Sequence, residues 1–138
     1  MVEALRRVVV TGLGAVTPIG NDVAQYWEGL RSGRNGVAAI TLFDASRHAC
    51  RFAAEVKNFE PAGWLEPKEA KRWDRFCQFG VVAAKQAVQD AGLSIDDSNR
   101  NRVGVSIGSG VGGLLMMETQ AQVLNDRCLL YTSDAADE

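Results

Sequence analysis

Residues 108–113, Gly-Ser-Gly-Val-Gly-Gly, hold the spacing G-x-G-x-x-G between an apolar run at 103–107 and the segment LLMMETQAQVL. Glycines so spaced let a backbone close on a pyrophosphate at a helix N-terminus, so dinucleotide binding is the first chemistry to weigh. Two features argue against it. The fingerprint belongs in the first βα turn, and it needs an acidic residue about 20 positions on. Here it falls near the end of the chain, Glu118 follows too soon, and the first turn offers only Gly12-Leu-Gly14-Ala-Val-Thr17. The better reading of 102–113 is a buried strand whose C-terminal end approaches other backbone closely and presents a binding surface.

Three cysteines and one histidine limit what else the chain can catalyse. Cys50, Cys77 and Cys128 are odd in number and lack C-x-x-C spacing, which suggests neither a disulfide framework nor a zinc site. Cys77 lies between Phe76 and Phe79, beside Arg75 but with no histidine near it in sequence, and reads as buried filler. Cys50 adjoins Arg51 and sits close to His48. A nucleophilic thiol needs an electropositive, partly exposed site and a base, and proximity in sequence does not make a dyad. No paired carboxylates stand out.

The charged residues of 66–75 are more informative. Lys68, Lys71, Arg72 and Arg75 recur at i, i+3, i+4 and i+7, which places all four on one face of a helix, with Trp73 and Phe76 turned inward. Such a face is either a docking stripe for an acidic partner or a solvated surface balanced by Glu66, Glu69 and Asp74. The pattern alone leaves both open.

The elements that must carry these residues alternate. Residues 7–12 (RVVVTG) are short and β-branched and predict a central strand, broken by Gly12 and Gly14. Asn21 or Asp22 can cap a helix that begins at Val23, with Val23, Tyr26, Trp27 and Leu30 on one face. Residues 37–49 read as loop with an apolar piece at 37–43, and 52–56 as a strand. One long helix is predicted from Leu65 or Glu66 to Asp90 or Ala91, with Pro67 in its first turn and Gly92 just past its end. Its alanine-rich second half should lie against a sheet. The strand at 102–107 and a helix over LLMMETQAQVL follow, which together predict an α/β fold with a mainly parallel sheet.

Composition sets the class. With 138 residues, 46% apolar and 23% charged, the chain makes a single soluble globular domain. Net charge is −2, giving no global pull toward nucleic acid or membrane. No apolar run reaches a membrane span and no signal-peptide pattern opens the chain, so a cytoplasmic location is expected.

Taken together, RRVVVTGLGAVTPIGN, VAQYWEGLRSGRNGV, KEAKRWDRFCQFG with AAKQAVQDAGL, and VGVSIGSGVGG resemble the N-terminal part of the β-ketoacyl-acyl carrier protein synthases, above all the type II enzymes of bacterial fatty acid synthesis. The resemblance runs from Arg6 to about Arg127 in family order. It implies a thiolase-like α/β fold of two related halves, usually a homodimer, with no cofactor and no metal. It implies a decarboxylative Claisen condensation between an acyl-cysteine and malonyl-carrier protein. The nucleophilic cysteine, two histidines and a lysine of the family lie downstream of these motifs, so no catalytic residue is assigned here, and Cys77 and His48 match none of them. Lys68, Lys71 and Arg72 match positions that contact acyl carrier protein. Val111 matches a position that lines or gates the acyl-chain pocket. A polyketide-type ketosynthase is the near alternative, and an NAD(P)-binding oxidoreductase domain or a non-catalytic carrier-binding module the remote ones.

The resemblance divides the chain into a synthase-like part, 1–127, and a tail, 128–138 (CLLYTSDAADE), that follows no family pattern and resembles translated sequencing adapter. Losing its three acids, Asp134, Asp137 and Glu138, would raise the formal charge of −2 by three.

Overall fold

The computed structural model describes residues 7–127. The tail at 128–138 lies outside the described residues. Among the described residues, four α-helices and two short strands, numbered in chain order, and one 3-10 turn make up the regular structure. No described helix is long and apolar enough to cross a membrane.

Asp22 starts α1 (Val23–Arg31): its carboxylate accepts the Gln25 N–H at 2.7 Å, the capping expected of this position. Arg31 ends the helix, where a cation complements the dipole. The buried face differs from the expected one. Trp27 and Leu30 stay exposed, and the closest packing is made by Gly29, where an added Cβ would stand 3.0 Å from the Ile19 carbonyl oxygen.

The apolar piece at 37–43 and the strand expected at 52–56 meet in a minimal ladder. Strands β1 (Ala38–Ala39) and β2 (Phe52–Ala53) pair antiparallel, Ala38 opposite Ala53 and Ala39 opposite Phe52. Glu55 extends this hairpin beyond its two rungs. Its carboxylate accepts from Thr41 Oγ1 at 2.6 Å, from the Thr41 N–H at 2.9 Å and from the Leu42 N–H at 3.2 Å. The Thr41 hydroxyl, above all, holds the carboxyl below its ordinary range. A lowered folded-state pKa stabilises the hairpin at neutral pH, and that contribution is lost as pH falls through the lowered value. Acidification should therefore lower the protection factor of the Thr41 amide against hydrogen exchange, measured relative to the intrinsic rate at each pH, and Glu55→Gln should flatten that pH dependence.

The sheet requires the larger correction. Neither 7–12 nor 103–107 forms a strand, and the described sheet is two-stranded and antiparallel, not mainly parallel. A β-branched run has the composition of a strand, but only a neighbouring ladder makes it one. Without that ladder, Val8 is 89% and Val105 82% exposed.

The single helix expected over 65–91 is two. Helix α2 (Pro67–Arg72) begins at a capping box between Glu66 and Glu69, with Pro67 in the first turn. Trp73 (φ −92°, ψ 137°) and Asp74 (φ −64°, ψ 154°) are extended, and α3 (Arg75–Asp90) starts anew with Asp74 Oδ1 accepting the Arg75 N–H at 2.6 Å. The end falls as predicted: Gly92 follows Ala91 with φ +58°, a conformation that suits glycine.

Helix α3 is the element on which the rest is laid. Val82, 1% exposed, sits on one stripe between Gln78 and Gln86, each 9% exposed. Gln86 Oε1 accepts the Ala15 N–H at 2.9 Å, while its Nε2 donates to the Asn21 carbonyl at 2.8 Å. Asp90 accepts the Leu13 N–H at 2.9 Å. The alanine-rich half does pack closely, but against irregular backbone and not a sheet. A Cβ on Gly14 would lie 1.9 Å from the Ala83 carbonyl oxygen, and one on Gly12 2.2 Å from that of Ala87. On another side of α3, Val81, Ala84 and Val88 line an open apolar groove of about 450 Å³ with Val105 and Ile107. After a short 3-10 turn at Arg100–Arg102 and the glycine loop, α4 (Leu114–Arg127) completes the described chain.

Candidate functional site

Helix α2 presents Lys68, Lys71 and Arg72 as exposed side chains within six residues, and the helix break separates Arg75 from them. The i+7 relation held only for an unbroken helix. Arg75 turns the other way: its guanidinium donates to the Val56 carbonyl at 3.0 Å and lies 5.1 Å over the Phe79 ring. The acids expected to balance the stripe serve the backbone. Glu66 and Glu69 form the capping box, and Asp74 caps α3. The basic surface is thus three residues wide.

The direction of α2 is set from α3. Gln78, one turn into α3, donates through Nε2 to the carbonyls of Ala70 and Trp73, both at 2.8 Å. These are carbonyls at the end of α2, where intrahelical donors run out. Arg75, through Val56, and Lys85, which donates to the Trp64 carbonyl, tie the same region of α3 to the preceding loop. The Phe59 and Phe79 rings meet edge to face at 4.8 Å.

The glycine loop comes to the same end of α3. A Cβ on Gly112 would stand 2.5 Å from the Phe76 ring, and Gly113 has φ +74° as it enters α4. These two positions require glycine. Gly104, Gly108 and Gly110 face open space, so the close approach expected along the run is confined to Gly112, against the Phe76 ring. The first two glycines of the G-x-G-x-x-G spacing, Gly108 and Gly110, meet no protein atom that would exclude a side chain. Val111, between the two groups, is 73% exposed. Trp73, Asp74 and Arg75 of the joint line a cavity of about 230 Å³ with Leu115, Met116 and Thr119 of α4. The structure therefore gathers the basic helix, the joint and the Val111 loop around the start of α3.

The thiols lie elsewhere or face other partners. Cys77 is half-buried in α3, and the exposed Cys50 donates its thiol to the Phe52 carbonyl at 3.4 Å. His48 packs edge-on against Phe43, ring centres 5.5 Å apart. Among the described residues no group of three or more His, Cys, Asp or Glu is placed to hold a metal ion.

The family model of the β-ketoacyl synthase N-terminal domain matches residues 5–134. The chain belongs to the β-ketoacyl synthase family. The 3-oxoacyl-[acyl-carrier-protein] synthase 2 of Synechocystis sp. is 56% identical over 122 residues, covering 88% of this chain and 29% of its own length. The enzyme of the same name from Staphylococcus aureus is 46% identical over 122 residues, covering 88% and 30%. Among solved structures, a β-ketoacyl synthase from Burkholderia phymatum superposes with a TM-score of 0.71 at 29% identity, covering 94% of this chain and 32% of that one. The ishigamide ketosynthase/chain length factor superposes with a TM-score of 0.60 at 44% identity, covering 66% and 23%. The chain thus spans about 30% of the length of its curated relatives, and the described helices and short sheet form part of a β-ketoacyl synthase fold.

Sequence reasoning missed the residues that hold this part of the synthase together: Gln78, Gln86 and Asp90, and the seating of Gly12 and Gly14 on α3. A signal was present. Two glutamines eight residues apart flank Val82 on the inner stripe of an alanine-rich helix, and buried amides exist to satisfy backbone.

Proposed function

We propose that the chain is the opening part of a 3-oxoacyl-[acyl-carrier-protein] synthase that elongates acyl chains in fatty acid biosynthesis, working as a homodimer without a cofactor. The observation that carries this reading is the 56% identity to the Synechocystis enzyme across 88% of the chain. In the reaction, a cysteine thiolate accepts the acyl group and releases the carrier thiol. Malonyl-carrier protein then loses CO₂, and its enolate carbon attacks the acyl thioester, expelling the thiolate and leaving a 3-oxoacyl chain on the carrier. Donors aimed at the developing oxyanion serve such a step. The residues that perform it belong to the part of the synthase beyond this chain.

Two contributions fall to the chain itself. Lys68, Lys71 and Arg72 on α2 receive the acidic acyl carrier protein, their charge steering and orienting it. Val111 limits the depth of the acyl pocket, a branched side chain on a loop otherwise made of small residues. A polyketide-type ketosynthase is the second reading, favoured by the 44% identity to the ishigamide ketosynthase/chain length factor.

A chimera tests the proposal. Residues 7–127 replacing the equivalent stretch of the Synechocystis synthase should yield an enzyme that forms 3-oxoacyl product from acyl- and malonyl-carrier protein. The chain alone should form none. Within that chimera, Val111→Phe should impair long acyl primers more than short ones, whereas equal losses at every length would indicate overpacking. A folded but inactive chimera, or turnover by the chain alone, would sink the assignment.

A further inference from the structure

We infer that Gln78 is the positioning residue for carrier docking: its buried amide fixes the direction of α2 and so makes Lys68, Lys71 and Arg72 act as one surface. The inference rests on the docking role proposed above. Helix α2 has six residues, too few to persist on its own strength, and it joins α3 through two extended residues, Trp73 and Asp74. The caps at Glu66, Glu69 and Asp74 satisfy the helix starts, but none of them spans the joint from α3 back to the end of α2. Gln78 does. Its two bonds, both 2.8 Å, reach the Ala70 and Trp73 carbonyls from a side chain only 9% exposed, where water competes little for them. Remove the donors and two backbone carbonyls lose their partners while the joint keeps its freedom. The three cations would then sample many directions, and a carrier would meet them singly. Gln78 touches no substrate; it acts through α2.

Gln78→Met tests this in the full chain, since methionine keeps the bulk and removes both donors. Hydrogen exchange should accelerate at the Trp73 amide, which bonds to the Glu69 carbonyl at 2.9 Å, and remain unchanged at the Ala91 amide at the far end of α3. Affinity for acyl carrier protein at low salt should fall about three- to tenfold, the loss expected when weak exposed pairs no longer form together. The difference between parent and variant should vanish at high salt, which a general loss of stability would not produce. Triple reversal of Lys68, Lys71 and Arg72 to Glu separates the two ideas. If the reversal weakens binding and Gln78→Met does not, docking stands and the positioning role falls. If the reversal binds like the parent, docking itself fails and takes the inference with it. Should Gln78→Met not fold, exchange in the unmutated chain decides: a Trp73 amide as fast as in an unstructured peptide overturns the clamp.

Discussion

Reversing Lys68, Lys71 and Arg72 to glutamate should weaken acyl carrier protein binding by about three- to a hundredfold at low salt, from three exposed pairs of roughly 0.2–1 kcal/mol each. All three side chains are exposed on a helix of six residues, so no single pair is shielded enough to dominate. The loss should appear mainly in the association rate, because surface charges act at a distance before contact is made. It should also shrink with added salt, since near 0.15 M charges are screened beyond about 8 Å. At positions 71 and 72, in the last turn of α2, glutamate opposes the helix dipole and can cost about 0.3–1 kcal/mol of local stability each, whereas position 68 lies in the first turn. A parallel variant with glutamine at all three positions removes charge without that opposition. Binding rates measured across a salt series should rank parent, glutamine variant and glutamate variant in that order. Equal rates at low salt would make the α2 surface an ordinary solvated face.

Among the described glycines, Gly14→Ala should be the most damaging added methyl, destabilising the chain by about 3 kcal/mol, the upper range for forced overpacking. The added carbon would stand 1.9 Å from the Ala83 carbonyl oxygen and 2.9 Å from the Ala87 nitrogen, both backbone atoms of α3 that cannot swing aside. Gly14 has no positive φ, so the cost is one of space alone. The gain from a stiffer unfolded chain, about 0.4–1 kcal/mol, is too small to offset it. Gly104→Ala is the matched control: nothing lies within 4 Å of its added carbon, and the change should stay within about 0.5 kcal/mol. Thermal and urea unfolding of the two variants checks this. Similar midpoints would mean that residues 12–14 do not rest on α3.

The helices were legible in the sequence because a helix satisfies its own backbone. Asp22 before Val23 and Gly92 after Ala91 are local signals, and they sit where the structure begins α1 and closes α3. The long helix was misjudged at Trp73 and Asp74, where periodicity is unbroken but a capping aspartate and a distant glutamine favour two helices. That choice depends on a side chain several residues away, which a pattern of apolar spacing does not weigh. The strands were misjudged for a different reason. Residues 7–12 and 103–107 have strand composition, yet pairing is a property of neighbours, and no strand pairs with them among the described residues. The candidate site shows the same division. Spacing puts Lys68, Lys71 and Arg72 on one exposed helix, the helix break takes Arg75 out of that group, and the family motifs alone single out Val111. The spacing of Gln78 and Gln86 around Val82 marks them as buried amides, but which carbonyls they hold follows only from the packing of α3.

The open valines at 8–10 and the bare Val105 and Ile107 have a practical side. Short uncharged β-branched runs with unpaired backbone are templates on which a second molecule can lay its own. The chain's colloidal behaviour should then depend on concentration: crowded during expression, it is expected to self-associate through these runs, whereas dilute it should stay dispersed longer. Carrier-binding titrations accordingly belong at low protein concentration, with light scattering recorded alongside, so that stickiness between like molecules is not mistaken for recognition of a partner.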